Sequence, residues 1–528
     1  MLHTVRSYRG MTTSPHHLAS QAGLNILQDG GDALEAAVAI AASLAAVYPH
    51  MTSIGGDTFW LVAEPNGETW CIDACGAAAQ AADLDLYREA DLDAVPWRGP
   101  LAANTVAGAI SGWGKLLERA GGGLSLDRIL RDAIFHAENG VAVTRGGAEL
   151  MAAKDAELKE VAGYAAVFRL EGRAMQEGER LKQPALAQTL RTIAKNGCRD
   201  FYDGALARAI AADLETVGSP VGVADLAAHR AEIRVPLSVR ISNAQLFNMT
   251  PPTQGFASLM ILALFDRLGV EEADGFSHIH GLVEATKSAF AKHRAINLGD
   301  ARFMKADPQA VLDDLASLDA MAARIDMDKA SPWPRPTEPG DTTWFAAADS
   351  QGRVVSAIQS TYFEFGSGVV LPETGIVWQN RGASFTLTED GWNALKPGRK
   401  PFHTLNPALA RFDDGRVMAY GTMGGEGQPQ TQAAIFSRYA MFGQDLQAAI
   451  TAPRWLLGRT WGEESTSLKL ESRFAPELIE SLHAAGHPVE MLSDFTATMG
   501  HAGAIVRHPE GLLEGANDPR SDGAAAGW

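Results

Sequence analysis

The chain has 528 residues, 46% of them hydrophobic and 20% charged, with a formal charge of −18 and a pI near 5.2. That length can bury a large core and hold more than one domain, and ordinary charged usage excludes wholesale disorder. The acidic balance argues against nucleic-acid or anionic-membrane partners, which need a basic face, whereas a small anionic substrate needs only one local positive group.

The first nine residues contain no apolar run and no small-residue cleavage site, so they do not read as a secretory signal. Asp32-Ala-Leu-Glu35 has the form of a capping box and opens an apolar run, Ala36 to Tyr48, interrupted only by Ser43. The run is too short for a bilayer and predicts a buried helix. Together these features predict a soluble, cytoplasmic protein. Ser53-Ile-Gly-Gly-Asp57 follows, then a strand over Phe59–Val62; the glycine pair predicts tight packing. Cys71, Cys75 and Cys198 form no disulfide framework in a chain this size and are expected reduced and partly buried, with no zinc site.

Residues from Ser125 to Leu214 read as mostly helical. Leu237 to Phe247 predicts one strand, Met249 to Gly255 a loop, and Phe256 to Leu268 an amphipathic helix. A further helix spans about Ser277 to His293. Its His278 and His280, two apart, point to different sides and are read as surface histidines unable to share a metal. Strands over Ala408–Phe412 and Val417–Tyr420, a helix from Pro429 and a last helix near Pro476–Ala485 complete the pattern, without repeats or heptads.

Asp341-Thr342-Thr343 is the most informative stretch. It follows Ser331 to Gly340, which has four prolines in ten residues and reads as an exposed extended segment. A threonine hydroxyl needs an adjacent base to act as a nucleophile, and its own α-amino group serves only if the preceding bond is cut. Locally, a proline-rich linker and a self-cleaving site both fit. Trp344–Ala348 and Arg353–Gln359 predict two strands joined by Asp349-Ser-Gln-Gly352, with Thr342 at the open end of the hairpin.

Gly421-Thr-Met-Gly-Gly-Glu-Gly427, between strand and helix, lacks the phosphate-loop ending. It is either a structural turn or a source of backbone N–H donors for an oxyanion. Lys400-Pro-Phe-His-Thr-Leu-Asn-Pro407 places His403 and Thr404 in a loop, where the hydroxyl either meets a substrate or caps a turn.

Taken together these motifs resemble the γ-glutamyltransferase-like members of the N-terminal-nucleophile hydrolases. The likeness runs from Gly10-Met-Thr-Thr-Ser14 through Gly30 to Ala37, Asn104-Thr-Val-Ala-Gly108, Phe201-Tyr-Asp-Gly204, Met249-Thr-Pro-Pro252 and His280 to Asp300. It continues at Asp341-Thr-Thr343, Phe365-Gly-Ser-Gly368, Gly424-Gly425 and Asn517 to Ser521. The resemblance implies an α+β fold, a four-layer αββα sandwich built jointly by both chains of a proenzyme cut between Asp341 and Thr342. The large chain would be 1–341 and the small chain 342–528, one intertwined unit, with Thr342 Oγ as nucleophile and its α-amine as general base. Ser360 falls where the family places a hydroxyl bonded to the nucleophile, Gly424 and Gly425 on the oxyanion-hole glycines, and His403 and Thr404 where the transferases carry a serine pair.

Where those transferases grip the glutamyl α-carboxylate and α-amine, this chain aligns Leu84, Tyr362, Arg381 and Ser384. A bidentate carboxylate clamp and an ammonium partner are thereby lost, and Arg381 brings a new positive charge. The pattern resembles the amidohydrolase branch, with its oxamate amidohydrolases of purine degradation and its cephalosporin-acylase-like enzymes. It implies hydrolysis of a small carboxylate-bearing amide, oxamate being the best single choice, with Arg381, Tyr362, His403 and Thr404 lining the pocket. A structural ion pair is the competing role for Arg381. A γ-glutamyl hydrolase or transferase, a glutaryl acylase-like enzyme and an uncut ligand-binding relative are the other readings. No cofactor or metal is implied. The expected partners are the anionic amide and the two chains of one precursor, with a homodimer of the processed pair left open.

Overall fold

The structure, a computed structural model, describes residues 3–333, 341–458 and 466–528, with backbone only at Asp341. Strand Asp341–Asp349 shows how the layers arise. Trp344, Ala346 and Ala348 belong to an apolar cluster shared with Leu409, Ala419 and Ile505, while Phe345 and Ala347 join another with Ala37, Ile40 and Leu44. Alternation along the strand therefore sends one face against a second sheet and the other against helices.

Two seven-stranded sheets, antiparallel at every pairing, carry this pattern. The first runs Ala524–Gly527, Gly10–Ser14, Asp341–Asp349, Val354–Tyr362, Asp57–Ala63, Thr69–Ala74 and Glu232–Arg234. The second runs Val5–Ser7, Leu513–Asn517, Ala502–Arg507, Val417–Thr422, Ala408–Phe412, Ala244–Asn248 and Leu237–Arg240. Helices His17–Gln28, Ala33–Val47 and Ala109–Leu117 cover the first sheet, and Gly255–Asp266 and Gly427–Phe436 cover the second; Leu126–Asn139 and Phe276–Ala295 pack in turn against those helices. The result is a four-layer αββα arrangement. Segments on both sides of residue 341 supply strands to both sheets, so neither closes a core alone.

Helix Ala33–Val47 is buried at every position, and its capping box is formed: Asp32 Oδ1 accepts from the Leu34 and Glu35 amides, and Glu35 Oε2 accepts from the Asp32 amide. Cys71 and Cys75 are free buried thiols and Cys198 is half-buried. The predicted hairpin forms, closed at Asp349 to Gly352. Of the proline-rich run, residues 334–340 lie outside the described residues; Ser331 and Pro332 are exposed. No helix among the described residues is long and apolar enough to cross a membrane.

Two expectations are corrected. The single strand over Leu237–Phe247 is a hairpin of Leu237–Arg240 and Ala244–Asn248, turned at Ser242-Asn243, where the Asp266 carboxylate accepts from both the amide and hydroxyl of Ser242. His278 and His280 are not surface residues but fully buried, because their helix is packed among Gly255–Asp266, Gly427–Phe436 and Pro476–Ala484. They do serve different partners: His278 Nε2 meets Ser437 Oγ at 2.8 Å, and His280 Nδ1 meets His487 Nε2 at 2.8 Å.

Candidate active site

Period-two alternation carries Thr342 to the face shared by Trp344, and Asp57 to the face shared by Phe59; both look into the space between the sheets. Asp57 pairs in register with Ser360 on the neighbouring strand. Gly56 makes this closeness possible, since a Cβ there would lie 2.1 Å from the Ser360 carbonyl oxygen. The glycine pair read as a packing feature is therefore also what seats the site.

Thr342 faces a β-bulge in the neighbouring strand Val354–Tyr362. Thr343 pairs with Gln359 and Asp341 with Tyr362, so Ser360 and Thr361 together oppose Thr342. Bulges bend a strand and re-aim its side chains. The distortion ends at Tyr362, a non-glycine residue with φ +86°, whose amide donates to Ser360 Oγ at 2.8 Å. Such a backbone costs about 1–3 kcal/mol and persists only where its surroundings impose it.

Arg381 opens the short turn Arg381–Ser384. Its guanidinium carbon sits 3.6 Å from the Tyr362 ring centroid, and Nη2 donates to Thr404 Oγ1 at 3.2 Å. Tyr362 also packs against Trp97 and Phe363. Arg381, Tyr362 and Thr404 thus form one cluster beside Thr342, and none of the four exposes more than 3% of its surface. The His403 ring stands edge-on to Phe59, with Nε2 3.3 Å from Asp57 Oδ2. Ser384 Oγ donates to the Phe402 carbonyl, and Leu84 lines a surface hollow with Asp83, Glu389 and Lys396.

Asp57 was not singled out from the sequence. Burial pushes its carboxyl up to about 7, against the pull of the Gly76 and Gly108 amides, Gln379 and the Arg381 charge. Burial, with the charges of Arg381 and Lys400, drives His403 well below its ordinary value. The pair therefore meets as neutral imidazole and a carboxyl that is largely protonated below neutral pH.

From the second sheet, strand Val417–Thr422 runs into the glycine turn and then helix Gly427–Phe436. Gly424 has φ +118°, a backbone that side-chain-bearing residues avoid, and Gly425 has φ +53°. The Gly427 and Gln428 amides donate back to the Gly424 and Gly425 carbonyls at 2.8 and 3.2 Å. Gln254 Nε2 joins this turn to the Thr404 loop, donating to the Thr404 and Gly425 carbonyls at 2.7 Å each. Gln428 Nε2 reaches Thr342 Oγ1 at 3.4 Å. Gln254, Asn406 and Gln428 were also missed; the visible signal was three glutamines, Gln428, Gln430 and Gln432, in a helix that is buried throughout.

One group among the described residues has donor types suited to a metal ion: His280, Glu284 and His487, whose ligand atoms lie within 4.8 Å of one another. Lys287 Nζ, 2.6 Å from Glu284 Oε1, already stands where a cation would neutralise that carboxylate, and the two rings bond each other. These bonds hold the cluster as a structural network in which His487 Nδ1 alone has no hydrogen-bond partner among the described residues.

Residues 19–528 match the family described as Gamma-glutamyltranspeptidase. The chain belongs to that family. Among its members it is similar to the oxamate amidohydrolase proenzyme of Klebsiella pneumoniae subsp. pneumoniae, at 52% identity covering 99% of each chain. It is also similar to the glutathione hydrolase-like YwrD proenzyme of Bacillus subtilis, at 40% identity covering 98% of each. The cephalosporin acylase structure from Bacillus halodurans superposes with a TM-score of 0.92 at 32% identity, covering 100% of this chain and 97% of that one. The architecture is that of the N-terminal-nucleophile hydrolases. Family and relatives together indicate a hydrolase acting on amides, made as a proenzyme.

Proposed function

We propose that this gamma-glutamyltranspeptidase-family chain cuts itself between Asp341 and Thr342 and then hydrolyses the amide of a small carboxylate-bearing substrate, oxamate being the best candidate. The observation that carries the reading is the buried Arg381 guanidinium, held against Tyr362 and Thr404 at the strand end that bears Thr342. A buried, oriented guanidinium suits one carboxylate and makes no provision for a substrate ammonium. Similarity to the Klebsiella pneumoniae oxamate amidohydrolase proenzyme supports the same choice.

In self-cleavage, Thr342 Oγ attacks the Asp341 carbonyl carbon, and the peptide C–N bond breaks to leave an ester and a free α-amine. Water then hydrolyses the ester, leaving a carboxylate on 1–341 and Thr342 at the head of 342–528. In turnover the α-amine, with a reference pKa of about 7.7–8.0, accepts the Oγ proton as Oγ attacks the oxamate amide carbon. The Gly424 and Gly425 region supplies backbone donors to the oxyanion, each such donor being worth about 10²–10³ in rate. Collapse expels the amide nitrogen, which takes the proton from the α-ammonium and leaves as ammonia. Water, deprotonated by the same amine, attacks the acyl carbon; the C–Oγ ester bond breaks, Oγ takes the proton back from the α-ammonium, and oxalate leaves. Arg381 pairs with the spectator carboxylate, and Ser360 holds the nucleophile's end of the bulge.

Intact mass on active protein, with a release assay on oxamate, a γ-glutamyl anilide and glutaryl amides, tests this reading. Two polypeptides, ammonia from oxamate, and loss of both in Thr342→Ala are expected. An unbroken active chain, or turnover of the γ-glutamyl anilide alone, overturns it.

A further inference from the structure

We infer that Gln428 is a further catalytic residue, donating through Nε2 to Thr342 Oγ in both self-cleavage and turnover. The inference rests on the proposed role of Thr342 and adds to it a group that the glycine-turn motif did not point to.

The orientation of the Gln428 amide is dictated by its other end. Gln428 Oε1 accepts from the Asn406 backbone N–H at 3.2 Å and from Asn406 Nδ2 at 3.1 Å. With two donors on the oxygen, the amide cannot rotate without losing both bonds, so the NH₂ faces Thr342 Oγ1 at 3.4 Å. Asn406 is fixed in turn: its Nδ2 donates to the Thr404 carbonyl at 2.8 Å, and its own carbonyl accepts from Gln432 Nε2 at 2.6 Å. Ser258 Oγ closes the chain by donating to Gln432 Oε1. Asn406, Gln428 and Gln432 are each fully buried.

A buried primary amide would be costly here as a mere filler; this one is satisfied on its oxygen and aimed by its nitrogen at the nucleophile. As a neutral donor it leaves one Oγ lone pair occupied and directs the other towards the carbon under attack. As the Oγ proton departs, charge grows on the oxygen and the bond becomes charge-assisted, strengthening in the transition state relative to the ground state. Its 3.4 Å length in the uncut chain leaves room for that shortening. Gln428 also sits in the first turn after the oxyanion glycines, its amide bonded to the Gly425 carbonyl at 3.2 Å. One rigid segment therefore addresses both the nucleophile and the site of the developing oxyanion.

The test uses Gln428→Met, which keeps length and removes the donor, and Gln428→Glu, which keeps the acceptor for Asn406 but presents oxygen to Oγ. Self-cleavage is timed on purified precursor, and kcat and KM for oxamate are measured per processed chain, with thermal melts alongside. About 10- to 100-fold loss in self-cleavage rate and kcat, with KM within twofold of the parent, is expected in both variants. Self-cleavage and kcat within twofold of the parent in either folded variant overturn the inference. So does a loss confined to stability, with the surviving folded fraction turning over at the parental kcat. Thr342→Ala separates the two failures: if it retains turnover, the nucleophile reading itself is wrong, whereas if it is inert and Gln428→Met is not, only the glutamine's role falls.

Discussion

Replacing Asp57 with asparagine should make the protein's stability less dependent on pH, and the size of the effect follows from where the carboxyl is held. Asp57 is fully buried, with Oδ1 accepting from the Gly76 and Gly108 amides at 3.0 Å each and Oδ2 facing His403 Nε2 at 3.3 Å. Its carboxyl rises from an ordinary 3.8 to about 7. Between those values the unfolded chain has released a proton that the folded chain keeps, so stability falls as pH rises from about 4 to about 7 and is level beyond. A tenfold change in proton affinity is worth about 1.4 kcal/mol, which makes the total about 4 kcal/mol. Asparagine reproduces the protonated acid: its oxygen can accept from the same two amides, and its NH₂ can donate to His403.

The assay is urea unfolding of parent and Asp57→Asn, both in an uncut Thr342→Ala background, from pH 4 to 8.5. Other raised carboxyls, such as Asp349 and Asp522, and lowered ones, such as Asp73, titrate alike in both proteins and cancel in the difference. The variant should gain on the parent by about 4 kcal/mol across this range, mostly below pH 7. A difference flat to within about 1 kcal/mol would refute the argument and mean that Asp57 is already ionised against His403 or Arg381 at acid pH.

Arg381→Ala is expected to raise KM for oxamate about 10- to 100-fold while self-cleavage proceeds at the parental rate, as befits loss of a charge-assisted contact made to substrate alone; unchanged KM would reduce Arg381 to a structural role. Gly56→Ala puts a methyl 2.1 Å from the Ser360 carbonyl, where only backbone movement relieves it, so about 3 kcal/mol of stability and most self-cleavage should be lost, and a variant melting and cutting like the parent would show that the strands separate easily.

What could be read from the chain was whatever depends on neighbours in sequence. The capping box at Asp32 and Glu35, the apolar run behind it and the turn at Asp349 to Gly352 are local devices, and each formed where expected. Thr342 at the open end of its hairpin follows from the same locality. Three features escaped because their causes are distant. The bulge opposite Thr342 depends on how the next strand is paired, the acidity of Asp57 on burial against a loop more than three hundred residues away, and the aim of Gln428 on Asn406. The histidines of Phe276–Ala295 were misplaced for a related reason. That helix is enclosed by other helices, so its polar residues give no contrast between a wet and a dry face.

The position of the candidate nucleophile is finally a matter of parity. Thr342 shares a face with Trp344, and room for that indole is made by the second sheet: a Cβ at Gly421 would stand 2.2 Å from Trp344 Cδ1, and one at Gly503 2.5 Å from Cζ3. The indole Nε1 is held by Ser356 Oγ at 3.0 Å on the adjoining strand. A one-residue slip would turn Trp344 out of this slot into the helix layer and carry Thr342 away from Gln428 and the glycine turn. The register that packs the largest side chain of the strand is thus the register that brings the hydroxyl, two residues along, to Gln428 on the helix that follows strand Val417–Thr422. Gln428 Nε2 already reaches Thr342 Oγ1 at 3.4 Å while the chain is still continuous, so the proposed cut would find that contact in place.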